Sequence, residues 1–295
     1  MNDSNPLAAL KATIQLTGSL LCVGLDPDPR RYPAELRNSG LSVQEQTWEF
    51  LQAVVRQTDA FACAFKAQKA FFDALPDGQE LLAKLIRFVK DVAPGRPLFV
   101  DCKVGDIENT MEAYFGNLFG GLNADGIVVN PYMGADVLAP FARTPGRVGL
   151  VLVKTSNPGA AEMQEIRMHD GRPLWRHVLD LTSRYNTLGN LVPIVSCEIV
   201  SDPVGLEGYW PHGGIVLAAG YGAQSGNLLP SPSAITHVVF VNSSRAILYP
   251  APVTGDPRGW CAAIAMAAEE TNNRLKYWKS QSLHLGGGIG TASNS

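Results

Sequence analysis

What the chain has little of is the first guide to what it does. Five cysteines occur in 295 residues, an odd number, and none forms a Cys-x-x-Cys pair. Cys22, Cys63, Cys102 and Cys197 lie in apolar runs, where a free thiol behaves as a small hydrophobe. A disulfide framework is therefore excluded, and a reducing cytoplasm suits the pattern. The five histidines, His169, His177, His212, His237 and His284, show no ligand spacing, so no metal site is expected. Positive charge is not in surplus either. A formal net charge of −3 makes nucleic acid and anionic membrane poor partners, and any bound anion must be gripped by a local site. No run approaches the roughly 18 apolar residues of a membrane span. Residues 1–4 lack the basic and apolar regions of a secretory signal. Neither a Gly-x-Ser-x-Gly elbow nor a Gly-x-x-x-x-Gly-Lys loop occurs, which removes elbow-type serine hydrolases and P-loop enzymes. Residues 286–295 are rich in glycine and serine and read as a disordered tail behind one domain, residues 1–285.

What is present is a rhythm of short apolar, β-branched runs. They cover residues 20–25, 60–65, 97–100, 126–129, 148–153, 192–195, 214–218 and 237–241. Helical spacing of three and four separates most of them, at 43–57, 79–91, 110–119, 173–185 and 260–278. Apolar strands alternating with helices imply a parallel sheet covered on both sides. The fold class is α/β, and a single (β/α)8 TIM barrel is the simplest arrangement for eight such strands; an open doubly wound sheet is the alternative. The final helix is expected on the barrel exterior.

A barrel carries its function at the C-terminal ends of its strands, often with phosphate held after strands seven and eight. Polar residues gather at those ends: Asp26, Lys66, Asp101 with Lys103, Asn130, then Lys154 to Asn157. After the seventh run comes Gly220-Tyr221-Gly222-Ala223-Gln224-Ser225-Gly226, able to surround an anion with backbone N–H groups. After the eighth comes Asn242-Ser243-Ser244-Arg245, whose guanidinium suits phosphate. The hexapeptide Asp101-Cys102-Lys103-Val104-Gly105-Asp106 is the densest cluster. In a strand, Asp101 and Lys103 face one way and Cys102 the other. Read by itself, each residue has a plain structural use. Asp101 and Lys103 can form a buried ion pair, Lys66 can extend out of the barrel mouth or act as a Schiff-base nucleophile, and Asp26 can serve a turn. Asp106, four residues before Thr110, can open a helix. Lys69 is the rival lysine, placed beyond the strand end.

Taken in order, these motifs resemble orotidine 5'-phosphate decarboxylase. Asp101-x-Lys103-x-x-Asp106 with Lys66 on the preceding strand matches its signature. Leu25-Asp26-Pro27, Ala64-Phe65-Lys66, Asp106 to Thr110, Asn130 to Gly134, Thr155 to Gly159, Gly220-x-Gly222-Ala223-Gln224 and Ser243-Ser244-Arg245 follow in sequence. The Thr-Ser-Asn-Pro-Gly form is similar to the longer bacterial, mycobacterial-like branch. Three places depart from the family pattern: Ala219 stands where proline is usual, Ser225 where glycine is usual, and Ser196-Cys197-Glu198 replaces Gly-Ala-Thr.

The resemblance implies decarboxylation of orotidine 5'-monophosphate without a cofactor. It implies an alternating network of Lys66, Asp101, Lys103 and Asp106, in which Lys103 protonates C6 and Asp101 lies against the departing carboxylate. Lys66 and Asp26 would hold ribose hydroxyls, and Ser156 would contact the pyrimidine. Gln224 and Arg245 would take the phosphate, with Gly222 and Ser244 completing the binding set. Asp106 and Thr110 would reach into a partner's site, making the enzyme a homodimer. Two rivals reuse the same residues. One is a metal-dependent decarboxylase of a sugar-acid phosphate from the same superfamily; the other is an inactive nucleotide-binding barrel.

Overall fold

Eight parallel strands close on themselves in the order of the chain in the computed structural model: β1 Leu21–Leu25, β2 Ala62–Gln68, β3 Leu98–Val104, β4 Gly126–Val129, β5 Val148–Leu152, β6 Leu191–Ser196, β7 Ile215–Ala219 and β8 Val238–Ser243. The structure describes residues 5–201, 206, 210, 214–221, 237–251 and 259–285. The closed (β/α)8 barrel is thus the arrangement adopted, and the open sheet is not. The strands are apolar because they are covered on both faces, by the barrel interior and by the helices outside. Every residue of β1 and β6 is buried. Phe99 of β3 and Phe240 of β8 lie on strands that are not neighbours, yet their rings are 5.9 Å apart. That contact crosses the barrel interior.

The expected helices form at Val43–Thr58, Gly78–Val92, Glu108–Phe115, Leu174–Tyr185 and Gly259–Leu285. Ser42 and Glu45 build a capping box at the start of the first of these. The long last helix packs outside the barrel against Val43–Thr58, with Trp260 stacked 6.0 Å from Phe50. A further helix, Pro6–Thr17, was not expected. Its signals are local ones: the Asn5 side chain accepts the Leu7 N–H, Pro6 opens the first turn, and Gly18 at φ 68° closes the last. Residues 286–295 lie outside the described residues.

Two strands run further than their apolar composition implies. β2 continues beyond residue 65 through the pairs Lys66↔Phe99, Ala67↔Val100 and Gln68↔Asp101. Lys66 therefore sits within the strand, and Lys69 opens the short helix Lys69–Asp73. β3 likewise continues to Val104. Backbone pairing persists there while the side chains turn polar, which is what a barrel mouth that holds a site requires.

Candidate active site

The hexapeptide is built on an irregularity in β3. Val100 pairs with Ile127 and Val104 with Val129, so three residues of β3 stand opposite Val128 alone. Such a bulge re-aims side chains and raises local twist. Lys103 takes up the distortion at φ 48°, a left-handed conformation that costs about 1–2 kcal/mol for a residue with a Cβ. The result keeps the expected alternation. Asp101 and Lys103 face the barrel mouth, while Cys102 points away, its Sγ 3.4 Å from the Val128 carbonyl.

Asp101 is the hub. Only 6% exposed, it accepts Lys66 Nζ on Oδ2 at 2.7 Å and Lys103 Nζ on Oδ1 at 2.6 Å. Both carboxylate oxygens are therefore engaged by ammonium groups. Burial by itself would raise the Asp101 pKa, but the two lysines and their hydrogen bonds outweigh it and hold the carboxyl below its ordinary value. Burial would lower the pKa of Lys66, 7% exposed, yet Asp101 and Asp26 hold it above the usual lysine value. Both groups are charged at neutral pH. The nearby thiols are inert by contrast, since burial pushes Cys22 up to about 12 and Cys102 up to about 11. Gln68, which sequence reasoning missed, adds a third contact. In the amide orientation that satisfies both ends, its oxygen accepts from Lys103 Nζ at 3.1 Å.

Lys66, Asp101 and Lys103 form the charged floor of a cavity of about 310 Å3. Of the residues singled out from the sequence, Asp26, Lys66, Asp101, Lys103, Ser156, Ser244 and Arg245 all line it. Asp26 follows β1 directly and lines the cavity, and its Oδ1 is buried without a hydrogen-bond partner. Gly24 explains how Ser244 comes close to β1: a Cβ there would lie 1.8 Å from Ser244 Oγ. Ser244 Oγ also accepts from Asn242 Nδ2 at 3.3 Å. Arg245 opens the short helix Arg245–Leu248 and is exposed at the mouth. The loop carrying Ser156 is pinned from behind, because Gln164 accepts the Thr155 N–H and donates to Thr155 Oγ1, each at 2.8 Å. Gly220, at φ 91°, turns the chain out of β7 in a conformation that glycine adopts freely. Asn242, Tyr221 and the apolar Leu152, Ile194 and Leu217 also line the cavity. The apolar three carried no distinguishing signal, since they belong to the strand runs.

Other residues named from the sequence lie elsewhere. Thr110 faces a neighbouring cavity with Gln68, Lys69 and Cys102, on the far side of Asp101. Asp106 accepts the N–H of Ile107 on its own carboxylate at 2.8 Å, and the helix N-cap falls on Ile107 instead. Lys69 pairs with Asp73 at 2.6 Å within its helix. Gly222, Gln224 and Ser225 lie outside the described residues. Among the described residues no three His, Cys, Asp or Glu side chains gather as a metal would need, and no helix is long and apolar enough to cross a membrane.

Comparison with known proteins identifies the family. Residues 19–194 match the model of the orotidine 5'-phosphate decarboxylase / HUMPS family. An orotidine 5'-phosphate decarboxylase of Cupriavidus necator is 35% identical over 276 residues, covering 91% of this chain and 97% of the relative. One from a Roseiflexus species is 38% identical over 244 residues, covering 81% and 86%. Among solved structures, the OMP decarboxylase of Leishmania donovani superposes with a TM-score of 0.71 at 28% identity, over 94% of this chain and 99% of that one. The family match over residues 19–194, with relatives 35% and 38% identical that are covered over most of their length, places the chain in the orotidine 5'-phosphate decarboxylase / HUMPS family.

Proposed function

We propose that the chain is a carboxy-lyase that converts orotidine 5'-monophosphate to uridine 5'-monophosphate and carbon dioxide, a step of de novo pyrimidine biosynthesis in the cytoplasm. The observation that carries the reading is Asp101, buried between the ammonium groups of Lys66 and Lys103 at the floor of the cavity. Loss of carbon dioxide leaves an electron pair on an sp² ring carbon. A fixed ammonium beside that carbon stabilises the developing charge and then supplies the proton. Lys103 has that role: its side chain is about half exposed, on the cavity side of Asp101, whereas Lys66 is enclosed. Asp101 holds the Lys103 ammonium in place through their 2.6 Å ion pair. It also faces the substrate carboxylate, and two like charges 4 Å apart repel by about 4 kcal/mol at an effective dielectric near 20. Departure of neutral carbon dioxide relieves that repulsion.

The rest of the cavity binds. Asp26 and Lys66, which line the cavity, take the ribose hydroxyls, and Ser156 meets the pyrimidine. Arg245 and Ser244 take the phosphate, together with Gly222 and Gln224. Binding energy from the phosphate, remote from the bond that breaks, stabilises the closed, reactive arrangement. Asp106 and Thr110 act in the site of a second copy, giving a homodimer. Exposed apolar residues beside them support this: Ile107, Tyr114, Met133 and Tyr132, the last 79% exposed. A metal-dependent reaction at the same motif is disfavoured because both Asp101 oxygens are already engaged by ammonium groups.

The test is turnover in chelator. Micromolar enzyme with EDTA is given orotidine 5'-monophosphate, and the pyrimidine absorbance is followed. Steady conversion to uridine 5'-monophosphate is expected. No conversion sinks the proposal, and conversion that EDTA abolishes moves it to the metal-dependent reaction.

A further inference from the structure

The barrel closes where β1 meets β8, and that seam is short. Only Leu21↔Val241, Cys22↔Asn242 and Val23↔Ser243 pair across it. Gly24 and Leu25 pair with β2 on their other side, and β8 gives them no ladder partner. Asp26 thus emerges from a strand end held on one edge only, although its carboxylate needs a fixed position at the cavity.

Tyr249 supplies the missing restraint from 223 residues away. Its hydroxyl donates to the Asp26 carbonyl at 2.8 Å and accepts the Asp28 N–H at 2.7 Å. One oxygen therefore bridges both ends of Asp26-Pro27-Asp28. The ring is clamped as well. Phe50, fully buried, stacks on it at 5.6 Å with planes 6° apart, and the Arg31 guanidinium lies over it at 4.2 Å. The same residue ends the helix Arg245–Leu248, its N–H bonded to the Arg245 carbonyl at 3.2 Å. Tyr249 lines none of the cavity.

We infer that Tyr249 is a positioning residue that holds the Asp26 carboxylate at its ribose-facing place, tied to the segment that carries Arg245. The inference rests on the reading of Asp26 as the acceptor of ribose hydroxyls. Removing the Tyr249 hydroxyl should then blunt recognition of the sugar hydroxyls more than recognition of the base or the phosphate.

Tyr249→Phe keeps the ring and its stacking and deletes only the bridging oxygen. Calorimetric binding of uridine 5'-monophosphate and of its 2'-deoxy analogue would be measured for wild type, Tyr249→Phe, Asp26→Asn and the double variant, with turnover of orotidine 5'-monophosphate alongside. Wild type should prefer the ribonucleotide. Tyr249→Phe should weaken the ribonucleotide about tenfold and the deoxy analogue no more than about twofold. In the Asp26→Asn background the second change should have little further effect, the mark of two residues acting through one contact. Equal weakening of both nucleotides by Tyr249→Phe, an unchanged preference, or its full effect in the Asp26→Asn background would overturn the positioning role alone. A wild type that neither binds the nucleotide nor turns over substrate would overturn the site reading on which the role depends.

Discussion

Asp101→Asn isolates the hub of the site, because asparagine keeps the shape of the side chain and removes the charge that two lysines share. Lys66 is 7% exposed, and Asp101 Oδ2 is the acceptor that compensates its burial. Leaving one member of a buried pair without its counter-charge typically costs roughly 3–5 kcal/mol. For a chain of this length that corresponds to a melting temperature lower by about 5–8 °C. The pH dependence gives a sharper test. In the wild type, Lys66 is held above its ordinary value, so its contribution is complete below about pH 10 and lost as pH rises through the folded-state pKa. Asp101 is held below its ordinary value, so its contribution is present above about pH 4 and lost on acidification. In the variant, burial, the largest influence on Lys66, is opposed chiefly by Asp26, and the Lys66 pKa is expected to fall below that of the unfolded chain. The unfolded state then binds more protons, and stability should rise between about pH 8 and pH 10, opposite to the wild type near its alkaline limit. Urea midpoints measured across that range decide the matter. A loss under about 1 kcal/mol, or a variant whose stability does not climb with pH, would show that Asp101 is not what keeps Lys66 charged.

Two further predictions concern binding and assembly. Arg245→Ala should raise KM for the nucleotide about tenfold or more while kcat changes little; an unchanged KM would move the phosphate away from the end of β8. Lys103→Ala and Asp106→Ala should each be inactive alone, yet mixing and re-equilibrating them should restore about a quarter of the wild-type activity, because mixed dimers carry one intact site. No recovery, despite exchange confirmed by native mass spectrometry, would remove Asp106 from a shared site.

Much of the barrel was legible because its physics is repetitive. Eight apolar runs of strand length separated by helical spacing leave few alternatives, and the polar residues that follow them mark the catalytic end. That reasoning found Asp26, Lys66, Asp101, Lys103, Ser156, Ser244 and Arg245, all of which line one cavity. It did not find where pairing stops. Lys66 and Gln68 look like a strand end because they are polar, but a ladder is set by backbone groups and runs on through both. Nor could it foresee the left-handed Lys103, since a bulge depends on the mismatch between two strands and not on either alone. Tyr249 was invisible for a related reason. Inside a mostly apolar run it reads as one more core aromatic, and its bond to the Asp26 segment spans 223 residues. The start of the first helix, with Asn5, Pro6 and Gly18 at its ends, was written in local signals and could have been read.

The central claim is that Lys103, held by Asp101, delivers the proton that completes decarboxylation. Lys103→Ala tests it most directly, with turnover of orotidine 5'-monophosphate and binding of uridine 5'-monophosphate measured on the same preparation. Turnover should be lost, by at least about a thousandfold, since both charge stabilisation and proton delivery go with the ammonium. Binding should persist, because Asp26, Ser156 and Arg245 remain around the cavity. Near-normal turnover in this variant would contradict the account and leave the proton to another group.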